Sequence, residues 1–286
     1  MAAILAVHGI AQQLAGPETL AKDWCPALRD GMRIAGVAPR ELPKNTDIKV
    51  AFYGDLFRRA KTKEAGDFAY EVEDIKAGIE EDLLSAWWDA AVQHGDALGP
   101  EAKTKVWVPE FAQRALSELC RIKFFSRISE RMMIGNLKQV SLYLGDADVR
   151  RDAKKRLLDL IHDDTKVIIG HSLGSIVAYE ALFEPAARRV QMFITLGSPL
   201  GLDKPIFRKL VPPPKDGVGA WPTATSRWTN IAATRDPVAA VKDLARLFGS
   251  QVVDKKIENE TRAHDVVPYL TARETGAAIA TGLGFG

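Results

Sequence analysis

Apolar residues fall into short unbroken runs near the start of the chain and again after residue 165, with helical spacing between them. Ile4–Val7 is apolar throughout and stops at His8-Gly9, which predicts a short buried strand. Glu18 to Ala35 follows a helical pattern, with Pro17 near its start. Ile48–Tyr53 mixes β-branched and aromatic residues and is closed by Gly54-Asp55, predicting a second strand. From about Arg58 to Gly145 long helical patterns replace strand signals, as in Ile79–Val92 and Phe111–Phe125. Residues 58–145 read as a mostly helical insertion, either a cap or a flank. Asp148–Ile161 follows as an amphipathic helix with a basic outer face.

Beyond that point strands and helices alternate. Lys166–Ile169, Met192–Leu196, Trp228–Ala233 and, more weakly, Gln251–Ile257 read as strands. Leu173–Phe183, stopped by Pro185, and Val238–Phe248 read as helices, and Pro199–Arg227 as a loop-rich stretch. Val266 onward reads as a short helix and a Gly-rich tail. This alternation predicts an α/β fold, a mostly parallel sheet flanked by helices on both faces. The expected organisation is one domain over 1–286 that carries the insertion.

Composition narrows the function classes. With 286 residues, 47% of them hydrophobic, the chain can bury a full core. A formal net charge of +2 gives no reason to expect a nucleic-acid partner. Cys25 and Cys120 form no C-x-x-C, so free thiols in a reducing compartment are expected. No histidine pair has H-E-x-x-H spacing, and no metal is expected. The N-terminal apolar run is short and lacks a basic flank, which favours a buried strand over a signal peptide. Val167–Phe183 is apolar but contains Gly170, His171, Ser172, Gly174 and Glu180, and is shorter than a spanning helix. No transmembrane segment and a cytoplasmic location are the expectation.

Gly170-His171-Ser172-Leu173-Gly174 matches G-x-S-x-G. The β-branched run Val167-Ile168-Ile169 precedes it and a helical run follows. A strand, sharp turn and helix expose a nucleophilic serine hydroxyl, and the flanking glycines leave room for the turn. The helix N-terminus sets N–H groups and a positive dipole beside the reacting oxygen. Acyl transfer also needs two N–H donors aimed at the developing oxyanion, worth roughly 3 kcal/mol each. Leu173 N–H, just after the serine, and Ile10 N–H, in the His8-Gly9-Ile10 loop after the first strand, are the candidates.

A serine hydroxyl needs a base, and the base needs an orienting carboxylate. Of the five histidines, His171 adjoins the serine, His8 belongs to the donor loop, and His94 and His162 lie in helical or helix-end settings. His264, in a loop after the last strand, is the candidate base. Asp236, in Thr234-Arg235-Asp236-Pro237 after a strand, is the preferred acid and could equally cap a helix. Asp203 and Asp265 are its rivals. The chain order Ser172, Asp236, His264 follows.

These motifs resemble the α/β-hydrolase superfamily, in particular bacterial lipase-like and esterase-like members. The likeness rests on His8-Gly9, Gly170–Gly174, Thr195-Leu196-Gly197-Ser198-Pro199, Asp236-Pro237-Val238 and His264-Asp265, covering roughly 1–20 and 165–270. It implies a Ser-His-Asp mechanism with no metal or organic cofactor and a small-molecule or lipid ester as substrate. The chain reads as starting at the strand that bears the donor loop, without the family's first hairpin, and its insertion has no match. Leu200, Ile206, Phe207 and Trp221, in the Pro199–Arg227 stretch, are candidates for an acyl pocket. Arg121–Arg127 is basic and aromatic, and reads as an amphipathic core helix in preference to a lipid-binding surface. An amidase or peptidase would use the same triad, and a non-catalytic module binding a lipid or partner protein is a different class of reading.

Overall fold

The computed structural model describes residues 2–58, 70–95, 109–122, 129–259 and 264–285. Its strands are β1 (Ile4–Val7), β2 (Ile48–Ala51), β3 (Val167–His171), β4 (Met192–Leu196), β5 (Arg227–Ala233) and β6 (Val252–Ile257). They form one sheet in the order β2-β1-β3-β4-β5-β6, and every neighbouring pair is parallel. Its helices are α1 (Pro17–Ile34), α2 (Ile79–Gln93), α3 (Pro109–Arg121), α4 (Glu130–Gly145), α5 (Ala147–Leu158), α6 (Leu173–Ala181), α7 (Ala245–Phe248), α8 (Val266–Thr271) and α9 (Arg273–Leu283). The fold is α/β.

Side-chain alternation along the strands builds two cores. Leu5, Val7, Ile168, Phe193 and Trp228 point to one face, where they join residues of α2 to α6. Ile4, Ala6, Val167, Ile169 and Ile194 point to the other, against α1, α8 and α9. Burial on both faces explains why these strands read as continuous apolar runs instead of alternating ones.

The strand order reverses between β1 and β3. After β1 the chain leaves through α1 on one face towards β2, and after β3 it leaves through α6 on the other face towards β4. Two neighbouring strands whose connections part to opposite faces leave a crevice at their carboxyl ends, where open α/β sheets bind ligands.

The elements follow the hydrophobic pattern closely, with two departures. Val238–Phe248 is not a helix beyond the single turn of α7. Side chains of the sheet claim its backbone instead. Asp254 accepts from Leu244 N and Ala245 N, and Asn230 Nδ2 donates to the Lys242 carbonyl. The Gly-rich tail is largely helical. Gly276 lets α9 touch the backbone of α1, since a Cβ on it would lie 2.1 Å from the Gly31 carbonyl oxygen, and Gly31 in turn admits the Leu270 carbonyl of α8. Between β2 and β3 the described chain is helical and contains no strand. Among the described residues no helix is long and apolar enough to cross a membrane.

The α1–α9 contact yields a stability prediction. Gly276→Val forces the two helices apart and should lower stability by about 1–3 kcal/mol or more, as overpacking does. A urea titration with an unchanged midpoint would contradict this.

Candidate active site

Ser172 sits between β3 and α6 at φ 53° and ψ −128°, a conformation that a side chain adopts only when its surroundings impose it. Glycines make that possible. A Cβ on Gly170 would lie 2.5 Å from Ser175 Cα, and one on Gly174 would lie 2.3 Å from the Val7 and His8 carbonyl oxygens. A Cβ on Gly9 would lie 2.7 Å from Ser172 Cβ, so the loop after β1 runs directly against the serine. A relay of hydrogen bonds holds the turn from below. Leu200 N donates to Ser198 Oγ (3.3 Å), Ser198 to Ser175 Oγ (2.7 Å), and Ser175 to the Ser172 carbonyl (2.6 Å).

His8 fastens the loop after β1. Its Nε2 accepts from Tyr53 N at 3.1 Å, so Nδ1 carries the proton and donates to the Gly9 carbonyl at 2.7 Å. Tyr53 Oη donates to the His8 carbonyl at 2.7 Å. Burial lowers the His8 pKa to about 4, which keeps the ring neutral. Further along, Ala11 has φ 63°, and its N–H donates at 3.1 Å to Oε1 of Gln139 on α4. Among the described residues, Ile10 N–H and Leu173 N–H have no acceptor within the chain.

The imidazole of His264 bridges a hydroxyl and a carboxylate. Nε2 lies 2.9 Å from Ser172 Oγ and Nδ1 lies 2.8 Å from Asp236 Oδ2. A carboxylate only accepts, so Nδ1 donates to Asp236 and Nε2 accepts from Ser172. Asp236 is fully buried, 0% exposed. Its Oδ2 also accepts from Tyr269 Oη (2.7 Å), while Oδ1 accepts from Val238 N (2.9 Å) and Ala239 N (3.3 Å). Burial works to raise the Asp236 pKa, but His264, Lys242 and the Tyr269 hydroxyl outweigh it and hold the carboxyl below its ordinary value. Gly197, at φ 54°, clears the space, since a Cβ there would lie 2.9 Å from Asp236 Oδ2 and 3.1 Å from His264 Nδ1.

The three side chains singled out by sequence therefore meet at the carboxyl edge of the sheet, flanked by Leu173 and the Ile10 loop. Asp236 both turns its own loop and holds the imidazole. Asp203 is paired with Arg208 at the surface, and Asp265 is exposed at the start of α8. Leu200, Ile206, Phe207 and Trp221 are placed differently from the expected acyl pocket. Leu200, Ile206 and Phe207 are buried, with Phe207 against Phe248 (5.5 Å between ring centroids), and half-buried Trp221 packs on Trp228 (6.0 Å). They fill the core beside the sheet. Most of the basic and aromatic stretch Arg121–Arg127 lies outside the described residues, as do 59–69 and 96–108 of the helical segment.

The roles of four contributors escaped the sequence reading. Tyr269, inside an apolar helical run, gives no polar signal. Gln139 lies 128 positions from the N–H it binds. Gly197 shows its role only through its φ. His171 donates Nε2–H to the His264 carbonyl at 3.0 Å, and its ring lies 4.8 Å from that of His264. Burial first, and the neighbouring His264 next, lower the His171 pKa to about 3. Among the described residues no group of three His, Cys, Asp or Glu side chains is arranged to hold a metal ion. Comparison of the chain with known protein families, curated proteins and solved structures returned no match.

The two neutral histidines set an acid sensitivity. Their folded pKa values, about 4 and about 3, lie below the unfolded value, so only the unfolded chain gains these protons as pH falls below about 6.5. Stability should therefore drop from pH 6.5 towards pH 4, by up to about 1.4 kcal/mol per pH unit for each histidine. Asp236 acts in the same direction only at lower pH, because its contribution is full above the ordinary carboxyl value of about 4 and is lost as pH falls from there through the depressed folded value. Urea midpoints at pH 7, 6 and 5 measure the slope, which His171→Asn should make shallower.

Proposed function

We propose that the chain is a serine hydrolase of the α/β-hydrolase type that cleaves a carboxylic ester. The observation that carries this reading is the His264 imidazole lying 2.9 Å from Ser172 Oγ and 2.8 Å from Asp236 Oδ2. The strained serine turn and the two unengaged N–H groups beside it support the same reading.

In the proposed reaction, Ser172 Oγ attacks the ester carbonyl carbon while His264 Nε2 takes the hydroxyl proton. Asp236 stabilises the resulting imidazolium through Nδ1–H. Ile10 N–H and Leu173 N–H donate to the oxyanion. The intermediate collapses, the carbon–oxygen bond to the alcohol breaks, and His264 protonates the departing alkoxide. Water then attacks the acyl-enzyme, giving its proton to His264. The second collapse frees the carboxylic acid and returns the proton to Ser172. The buried carboxylate keeps the imidazole in the tautomer this needs.

A fluorophosphonate probe should label the wild type on Ser172, and Ser172→Ala should lose both labelling and ester turnover. The loss in kcat should be on the order of a thousandfold or more, with an unchanged urea midpoint. p-Nitrophenyl esters compared with the matching anilides separate an esterase from an amidase. Full labelling of Ser172→Ala, or none of the wild type, would reject the assignment, and the second result would leave a binding module as the reading.

A further inference from the structure

The loop after β1, the turn Gly54–Phe57 and helix α4 enclose a groove of about 750 Å³. That lies within the range of small-molecule sites, about 300–1,000 Å³. Ser172 does not line the groove, and the segment Gly9–Ala11 joins the two. Gly9 lies against Ser172, and Ala11, two residues on, forms part of the groove wall. Two Cα steps span at most about 8 Å, so the groove wall at Ala11 lies within that distance of Gly9.

Leu14, Leu56, Phe57, Met132 and Leu142 form the apolar part of its walls, and polar side chains form the rest. Leu14 is 80% exposed, Met132 48% and Leu142 40%. Uncovered apolar side chains gathered on one concave surface mark a place that binds apolar matter. Several polar groups of the groove are already engaged within the chain. Arg58 donates to the Gln13 and Ala15 carbonyls, Lys138 to Glu80 and the Asp74 carbonyl, and Gln139 bonds Ala11 and Gln13. Asp146 caps α5. Lys76, Asn136 and Ser141 also line the groove, while the exposed apolar surface of Leu14, Met132 and Leu142 is what a hydrocarbon would cover.

We propose that this groove takes the hydrocarbon chain of the ester, which makes esters with medium or long chains the substrate class. The inference rests on Ser172 being the nucleophile. The chain leaves the serine along the Gly9–Ala11 loop and covers Leu14, Met132 and Leu142.

The test is the rate at which the full chain is labelled by two fluorophosphonates that differ only in an ethyl or a decyl group on phosphorus. Fluoride leaves as the Oγ–P bond forms. The decyl reagent should react about tenfold faster or more, a factor that roughly two buried methylenes supply. Leu142→Glu and Met132→Glu change exposed positions that tolerate a charge, and each should bring the decyl-to-ethyl ratio close to one. Val218→Glu, at an apolar site 54% exposed and outside the groove, should keep the wild-type ratio. Equal rates for the two reagents in the wild type, or a ratio that both groove variants leave intact, would overturn the groove assignment while Ser172 stays labelled. Labelling by neither reagent would overturn the nucleophile and the groove together.

Discussion

The backbone conformation of Ser172 is the constraint from which the rest of the site follows. A residue at φ 53° and ψ −128° needs neighbours that neither collide with it nor let it relax. Gly170 and Gly174 remove the collisions, and the serine relay through Ser175 and Ser198 prevents relaxation. Gly9 then brings the β1 loop against the serine. This close approach is possible because β1 and β3 are neighbours at the reversal of strand order, where their connections leave to opposite faces. Side chains that approach the serine from its other flank must come from beyond β4. Asp236 follows β5 and His264 follows β6, so both reach it from that side.

Electrostatics complements this geometry. Asp236 is a fully buried carboxylate, and four donors converge on its two oxygens. A buried charge without such partners would neutralise itself by taking up a proton. The imidazoles of His8 and His171 stay neutral for a matching reason. A charge on His171, with its ring 4.8 Å from His264, would oppose a positive charge on His264. Burial of His171 removes that competitor while its N–H holds the His264 carbonyl. In the proposed mechanism the mobile proton is thereby confined to the Ser172–His264 pair.

What the sequence reveals follows from the range of each interaction. Strands β1 and β4 are legible to the residue because both are short, mostly apolar runs closed by a glycine segment, His8-Gly9 and Gly197, and both are buried on two faces. The serine turn is legible because its requirements are local, two glycines and a strand-to-helix change. Asp236 is legible for the same reason, as an Asp-Pro after a strand. Val238–Phe248 misleads because its helical periodicity competes with Asn230 and Asp254, which take the backbone groups a helix would use. Tyr269 and Gln139 are not legible, since each is an ordinary side chain whose partner lies far along the chain. The apolar residues after β4 look like a pocket lining in one dimension, but their hydrophobicity serves the core beside Trp228 and Phe248.

Helix α4 shows how a segment remote in sequence becomes part of the site's architecture. Gln139 and Tyr143 stand one turn apart on it, and side chains four residues apart share a helix face. Gln139 holds Ala11, whose left-handed backbone directs the loop that carries Ile10. Tyr143 donates at 2.8 Å to Glu180, a buried carboxylate on α6, the helix that begins with Leu173. Arg150 of α5 lies 3.5 Å from the same carboxylate, and burial raises its pKa against the pull of these partners. One face of α4 is thus bonded to both segments that present unengaged N–H groups beside Ser172. In the proposed mechanism the two donors serve one oxygen, and the loop and α6 already meet where Gly9 packs on Ser172 and Gly174 on the Val7 and His8 carbonyls. Helix α4 adds a second link between the same two segments from outside the alternating strand and helix pattern.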